Sequence, residues 1–286
     1  MSRKLSVKGI GKYAASFPFF ILVIFFLFAP LSNMVWKSFI SPETGAATIA
    51  NYIDVFTKPI YLASMRNSLY LTLLSTIAGL VISFVAAMAA AEATRGWNSK
   101  FLSILNMVSN FAGLPLAFAF IILLGNSGVL IEVLDQIGIH VMDDFNLYGS
   151  EGLLLVFVYF QIPLGTLVLI PSFQSIRKEW KESAALMKAN SFQFWWRIGI
   201  PVMLPSLCDT FSMLFANALT AYATPFMMIS TNYPLLPIKI TSMFTGETVQ
   251  QQELGSALSI SMMLIMLLVI FLCNMVKKVF YKGGNS

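Results

Sequence analysis

Charged residues are scarce in this 286-residue chain: 18 Lys and Arg with 13 Asp and Glu make up 11% of it. Soluble domains carry about 25%. With 57% of residues hydrophobic, no water-soluble core could hide the apolar surface, so the chain reads as an integral membrane protein. Cysteine is scarce too. Cys208 and Cys273 lie inside apolar runs and read as small packing residues, neither a disulfide nor metal ligands. His140 is the only histidine, so no zinc or haem ligand set can be assembled and no cofactor is expected. No glycine-rich loop ends in Lys-Ser or Lys-Thr, which excludes nucleotide binding by that device. No nucleophile, base and acid can be grouped, so no catalytic residues are expected and the chain is not read as an enzyme. The net charge of +5 does not imply nucleic acid, because its distribution follows membrane topology.

Long apolar runs are what the chain has instead. Six of them, at about 13–35, 67–91, 101–124, 152–170, 202–229 and 254–276, approach or exceed the roughly 20 residues that a bilayer needs. The first is too long for a signal-peptide core and lacks a small-residue cleavage site, so it counts as a span. The expected fold is an all-α polytopic membrane protein with six transmembrane helices, in one domain over 1–286, embedded in the lipid bilayer. Between spans, 51–56 reads as a short interfacial helix. Val129, Leu130, Val133, Leu134 and Ile137 recur at helical spacing. Gly113 and Pro115 interrupt the third run, and Gln161, Pro163 and Gly165 the fourth. Such breaks suit a moving or pathway-lining helix, but are frequent in membrane helices generally.

Fourteen of the 18 basic residues fall in 1–12, in the turn after the second run, in the loop before the fifth, and at the C-terminal end. Only Lys37, Lys58, Arg66 and Lys239 fall on the other side. The positive-inside rule then places both termini in the cytoplasm. Trp195 and Trp196 are expected in one interfacial aromatic belt and Trp36 in the other.

Asp209 is the one carboxylate deep in an expected span, eight residues past Pro201 and so about 12 Å along the helix. A charge in lipid costs about 3 kcal/mol even on the lenient insertion scale, so Asp209 should face the bundle interior, water or a partner. Asn217, Thr220 and Thr224 follow on the same helical face. With Gln161 they form the candidate translocation pathway. The other reading is hydrogen-bonding glue between helices.

Between the fourth and fifth runs, 173–201 is a charged amphipathic island. Trp180, Ala184, Ala185 and Met187 can share one side of a short helix. Asn190 can cap a second helix, with Gln193 completing a capping box. Pro201 stops that helix or opens the next span. The result is helix, turn, helix on the cytoplasmic side. This stretch resembles the cytoplasmic signature of type I ABC importer permeases: Glu-Ala-Ala, three residues, Gly, nine residues, Ile, one residue, Leu-Pro. Glu182, Ala184, Ile198 and Pro201 match it, while Ser183 stands for the second-position Ala, Lys188 for the Gly and Ile200 for the Leu. Lys188 meets a steric cost in any left-handed turn that Gly would accept freely.

The resemblance extends to the six runs and to the Asn-Ser-Leu that opens the second. It is nearest to permeases of the spermidine/putrescine, ferric-iron, thiamine and phosphonate group, and sugar permeases share the motif. It implies the type I ABC importer permease fold and a transporter subunit of the bacterial cytoplasmic membrane. The implied partners are a second permease subunit forming a heterodimer, two ATP-binding subunits that hydrolyse the ATP, and an extracytoplasmic solute-binding protein. Glu182, Ser183, Ala184, Lys188, Ile198 and Pro201 would form the ATPase-coupling elbow. A buried acid on the polar stripe leans the solute towards a polyamine-like cation, over ferric iron, thiamine, phosphonate or a sugar. Outside the family, a secondary transporter would need several ion-coupling groups at mid-membrane, and Asp209 is only one. A membrane structural protein would need none.

Overall fold

The computed structural model describes residues 18–93, 95–138, 145–229, 233–246 and 251–282. His140, the basic residues of 1–12 and the beginning of the first expected span lie outside them. Among the described residues every regular element is a helix, apart from one isolated bridge between Ile40 and Ala47. Lipid offers backbone N–H and C=O groups no partner, so a spanning segment must satisfy them within its own helix. The helices are α1 (Pro18–Ser38), α2 (Ala50–Thr57), α3 (Pro59–Glu92), α4 (Arg95–Ser109), α5 (Leu114–Leu124) and α6 (Val129–Gln136). They continue with α7 (Ser150–Gln174), α8 (Lys178–Leu186), α9 (Ser191–Thr220), α10 (Ala223–Ile229), α11 (Leu236–Thr245) and α12 (Gln252–Lys282). Among the described residues, six stretches are long and apolar enough to cross a membrane: α1, α3, α5 with α6 as Leu114–Gln136, α7, α9 and α12.

The run expected as one span over 101–124 is two helices, because Gly113 takes φ 71° and ψ −138° and Pro115 opens α5. The run expected over 202–229 is broken as well. α9 ends at Thr220, Ala221 is extended at φ −63° and ψ 117°, and α10 starts two residues later. The same helix begins earlier than expected. Pro201 does not stop it: a π-helical stretch, Trp195–Gly199, leads into the α-helical part Ile200–Thr220, and the proline lies in the first turn of that part, as the second alternative expected. α3 reaches back to Pro59 rather than 67, with the proline at a first-turn position where its missing N–H costs nothing. Asn51–Phe56 is helical as expected, within α2.

Contacts group the chain into two compact units. The first comprises 1–61 and 240–262. Asn51 anchors it, donating to the carbonyls of Ser38 (3.0 Å) and Ile40 (2.8 Å), while the Ser38 and Tyr52 hydroxyls share a 2.8 Å hydrogen bond. Lys37 donates to Gln252 at 2.6 Å.

The second unit comprises 62–239 and 263–286. It holds two apolar clusters, one around Leu116, Leu153, Val156 and Phe157, the other around Ala87, Leu169, Phe173 and Met203. α3 and α7 run past each other over small residues. Gly79 lies against Gln161, and Gly165 lies against Ser83, whose hydroxyl donates to the Ile162 carbonyl at 2.9 Å. Close backbone approach over small and hydroxylated residues is how helices associate where lipid supplies no hydrophobic drive.

Candidate functional site

The elbow is α8, a tight turn and the start of α9. α8 ends in a Schellman motif: the Lys188 N–H donates to the Ala185 carbonyl at 2.9 Å and the Ala189 N–H to the Ala184 carbonyl at 3.0 Å. That motif places Lys188 in the left-handed region at φ 58°, the one non-glycine residue with positive φ among those described. A glycine would hold this conformation without strain; lysine holds it at a cost of about 1–2 kcal/mol. The next helix is fixed by a complete capping box, in which the Asn190 side chain accepts from the Gln193 N–H (2.8 Å) and Gln193 accepts from the Asn190 N–H (3.0 Å).

Ala184 is buried against the second cluster, and Ile198 packs on it half-buried. Glu182, Ser183 and Pro201 are exposed. Met187, expected on the inward face with Ala184, points outward and is 73% exposed, beside Leu186 at 86%. The helix has already ended at Leu186, so Met187 leaves the helical register. The elbow thus presents an acid and a pair of large apolar side chains to its surroundings. Behind it an open cleft of about 930 Å³ is bounded by Glu92, Arg177, Lys178, Trp180, Lys181 and Trp195, among others. Lys181 donates to Glu92 at 2.6 Å across the cleft. Trp195 turns inward while Trp196 is exposed, so the two tryptophans do not share one interfacial belt.

The expected polar stripe divides into three. Asp209 is 66% exposed and receives the Lys277 ammonium at 2.5 Å. It lies within α9, paired with a lysine from the basic C-terminal part of α12. Gln161 is fully buried between α7 and α3, donating to the Ser75 hydroxyl at 2.8 Å, so it joins helices and does not line the cavity. Asn217, Thr220 and Thr224 do come together, but not along one helix. They line a cavity of about 220 Å³ with Phe160, Tyr222, Gly113 and their neighbours, where the break between α4 and α5 meets the break between α9 and α10. Thr224 donates to the Gly113 carbonyl at 3.1 Å, which pins one break to the other. Irregular backbone is tolerated at membrane depth where it is buried in protein or lines a cavity. Tyr222 and the Gly113 backbone join this site although sequence reasoning did not assign them to it; Gly113 and Pro115 signalled the first break, and the second had no local signal.

No family model matches the chain. It is 26% identical over 256 residues to a probable sulfate transport system permease protein, cysT, of Prototheca wickerhamii, covering 89% of this chain and 92% of the relative. It is 24% identical over 258 residues to the ferric transport system permease protein FbpB of Actinobacillus pleuropneumoniae; the match covers 88% of this chain but spans only 36% of that relative's length. A spermidine/putrescine transport system permease protein, PotB, of Haemophilus influenzae is 23% identical over 254 residues, covering 87% of this chain and 88% of the relative. The fold matches the crystal structure of a bacterial ABC transporter involved in the import of the acidic polysaccharide alginate, with TM-score 0.75 at 17% identity over 95% of this chain and 96% of that one. The relatives and the shared fold support a reading as a type I ABC importer permease. Its six long apolar helices fit a multi-pass membrane protein, and its relatives are named as permease proteins of transport systems. Its relatives differ in the solutes they are named for, so the fold and family do not carry a substrate with them.

Proposed function

We propose that the permease forms half of the solute pathway of an ATP-driven importer in a bacterial cytoplasmic membrane. It pairs with a second, different permease subunit, two ATP-binding subunits and an extracytoplasmic solute-binding protein. The observation that carries this reading is the elbow, a capped helix–turn–helix whose outward face offers Glu182, Leu186 and Met187 to a partner. Glu182, Ser183, Ala184, Lys188, Ile198 and Pro201 form the coupling segment within 173–201. Asn217, Thr220 and Thr224 line the pathway, joined by Tyr222. ATP-dependent uptake into proteoliposomes without an ion gradient tests this against a secondary transporter. Uptake driven by an ion gradient alone would sink it.

A polyamine-like solute was favoured on the strength of Asp209. With Lys277 at 2.5 Å that carboxylate is matched within the chain and exerts little net pull on a cation. Among the described residues, the cavity at the paired breaks is lined by the Asn217 amide and the Thr220, Tyr222 and Thr224 hydroxyls beside Phe160 and alanines, and by no charged side chain. We therefore read the solute as small and polar, admitted by hydrogen bonding, with a polyamine-like cation standing beside ferric iron, thiamine, phosphonate and sugar. The cognate binding protein, screened against these five classes by calorimetry, identifies it. In the reconstituted complex Asp209→Asn is expected to leave the KM for uptake of that solute unchanged. A KM at least about tenfold higher for a cation would return Asp209 to the pathway.

The orientation is tested separately. Ser150 opens α7 and is exposed, on the side expected to be extracytoplasmic. In a variant lacking Cys208 and Cys273, Ser150→Cys should react with an impermeant maleimide in intact spheroplasts. Reaction only after lysis would reverse the topology.

A further inference from the structure

Trp195 collects three elements at one point. Its ring lies 5.9 Å from that of Phe84 on α3 and 5.5 Å from that of Phe173 on α7, and those two rings are 5.0 Å apart. Phe194 packs on the ring at 5.6 Å, and the Lys181 ammonium of α8 sits 5.4 Å from the ring's centre. Lys181 reaches from there to Glu92, the last residue of α3. Gly199 leaves room for the ring: a Cβ at that position would lie 2.2 Å from the Trp195 ring, so any side chain there would displace the indole. Trp195 opens the π-helical stretch Trp195–Gly199, and such single-turn widenings occur often at functional sites.

We propose that Trp195, Lys181 and Glu92 form the joint that passes displacement of the elbow into α3 and α7. They are positioning residues for the coupling of ATP hydrolysis to solute movement, and touch neither solute nor nucleotide. The physical reason is that packed aromatic blocks do not deform continuously; they move as a body or repack between discrete arrangements. Lys181 contacts both the block and the end of α3, so α8 cannot shift without carrying them or breaking a charge-assisted bond. Glu92 and Lys181 are exposed enough to be substituted without emptying a core. The inference rests on the importer reading proposed above.

The test is the number of ATP molecules hydrolysed per solute imported, measured on the complete complex in proteoliposomes. Lys181→Glu and Glu92→Lys are each expected to raise that ratio at least about threefold, and the double exchange to bring it most of the way back. The residual deficit reflects the lost cation on the Trp195 ring. Gly199→Ala should raise the ratio as well, without any change of charge, by lifting the indole. A purely structural role would lower the yield or melting temperature of the complex and leave the ratio alone. An unchanged ratio in Lys181→Glu and in Gly199→Ala, with normal uptake, overturns the joint. An unaltered complex that imports nothing under ATP overturns the importer reading itself.

Discussion

Gly113→Ala is expected to lower the stability of the permease by about 1–3 kcal/mol and to slow solute uptake at least about tenfold, although it adds a single methyl group. Space is not the obstacle: a Cβ at Gly113 would stand 3.8 Å from the Ala223 Cβ, an ordinary van der Waals contact. The obstacle is the backbone. At φ 71° and ψ −138° an L-residue is close to a region that only glycine populates freely. Relief requires the peptide to rotate, and that rotation takes the Gly113 carbonyl away from the Thr224 hydroxyl. The two breaks then lose the bond that aligns them, and the cavity between Asn217, Thr220 and Tyr222 changes shape. Thr224→Val separates the two parts of the effect. It removes the hydrogen bond and keeps the glycine, so it should slow uptake with a smaller loss of stability, about 0.5–1.5 kcal/mol. Thermal unfolding in detergent and uptake into proteoliposomes measure both. Gly113→Ala with unaltered melting and unaltered uptake would mean that the break does not depend on a left-handed residue.

How much of this arrangement the amino-acid pattern carries depends on the range of the interaction. The spans are legible because each follows from local composition: about 20 apolar residues in lipid form a helix whatever lies beside them. The capping box at Asn190 and the left-handed turn at Lys188 are legible for the same reason, since every bond involved lies within six residues. The breaks at Gly113 and Ala221 are harder. Gly113 and Pro115 announce an interruption, but nothing local at Ala221 and Tyr222 does, and the helical face drawn from Asp209 through Thr224 assumed a helix that stops at Thr220. Partners over longer distances were not legible. Lys277 lies 68 residues from Asp209, and Lys181 lies 89 residues from Glu92. Each pair brings together helices far apart in sequence, and nothing in the local pattern says which cation meets which acid.

Charge matching at the membrane edge also explains why the polar stripe divides as it does. An acid within reach of a basic span end is cheaper to hold in an ion pair than to expose at mid-membrane, where a lone charge costs about 3 kcal/mol or more. Asp209 is held in such a pair with Lys277, while the uncharged Asn217 faces the cavity. The groups left facing the cavity are those that can be partly desolvated without a counter-charge. On the importer reading proposed above, a pathway lined in this way leaves selection by charge to the solute-binding protein.

Gly165→Ala is expected to destabilise the permease by about 1–3 kcal/mol, because overpacking a tight helix crossing forces side chains or backbone to shift. Gly165 sits where α3, α7 and α9 converge. A Cβ there would lie 2.5 Å from the Ser83 hydroxyl, 3.0 Å from the Ser83 Cβ and 3.2 Å from a Leu214 methyl. None of these can retreat easily. Ser83 and Leu214 are fully buried, and the Ser83 hydroxyl is engaged with the Ile162 carbonyl, which also accepts from Thr166 at 2.6 Å one turn past Pro163. Pushing Ser83 aside strips one of two hydroxyl donors from a carbonyl beside a proline kink, in a medium that offers no water to replace it. The penalty is therefore packing strain plus a lost hydrogen bond of about 0.5–1.5 kcal/mol. Ser83→Gly should cost stability alone, through that bond. Combined with Gly165→Ala it should recover part of the loss, because the new methyl group then occupies the space the serine vacates. The double variant is expected to be more stable than the sum of the singles predicts by at least about 1 kcal/mol, read from unfolding midpoints in a graded detergent or urea series. Strict additivity of the two changes would show that α3 and α7 do not meet at these residues, and the alignment of α7 with the cavity would then need another cause.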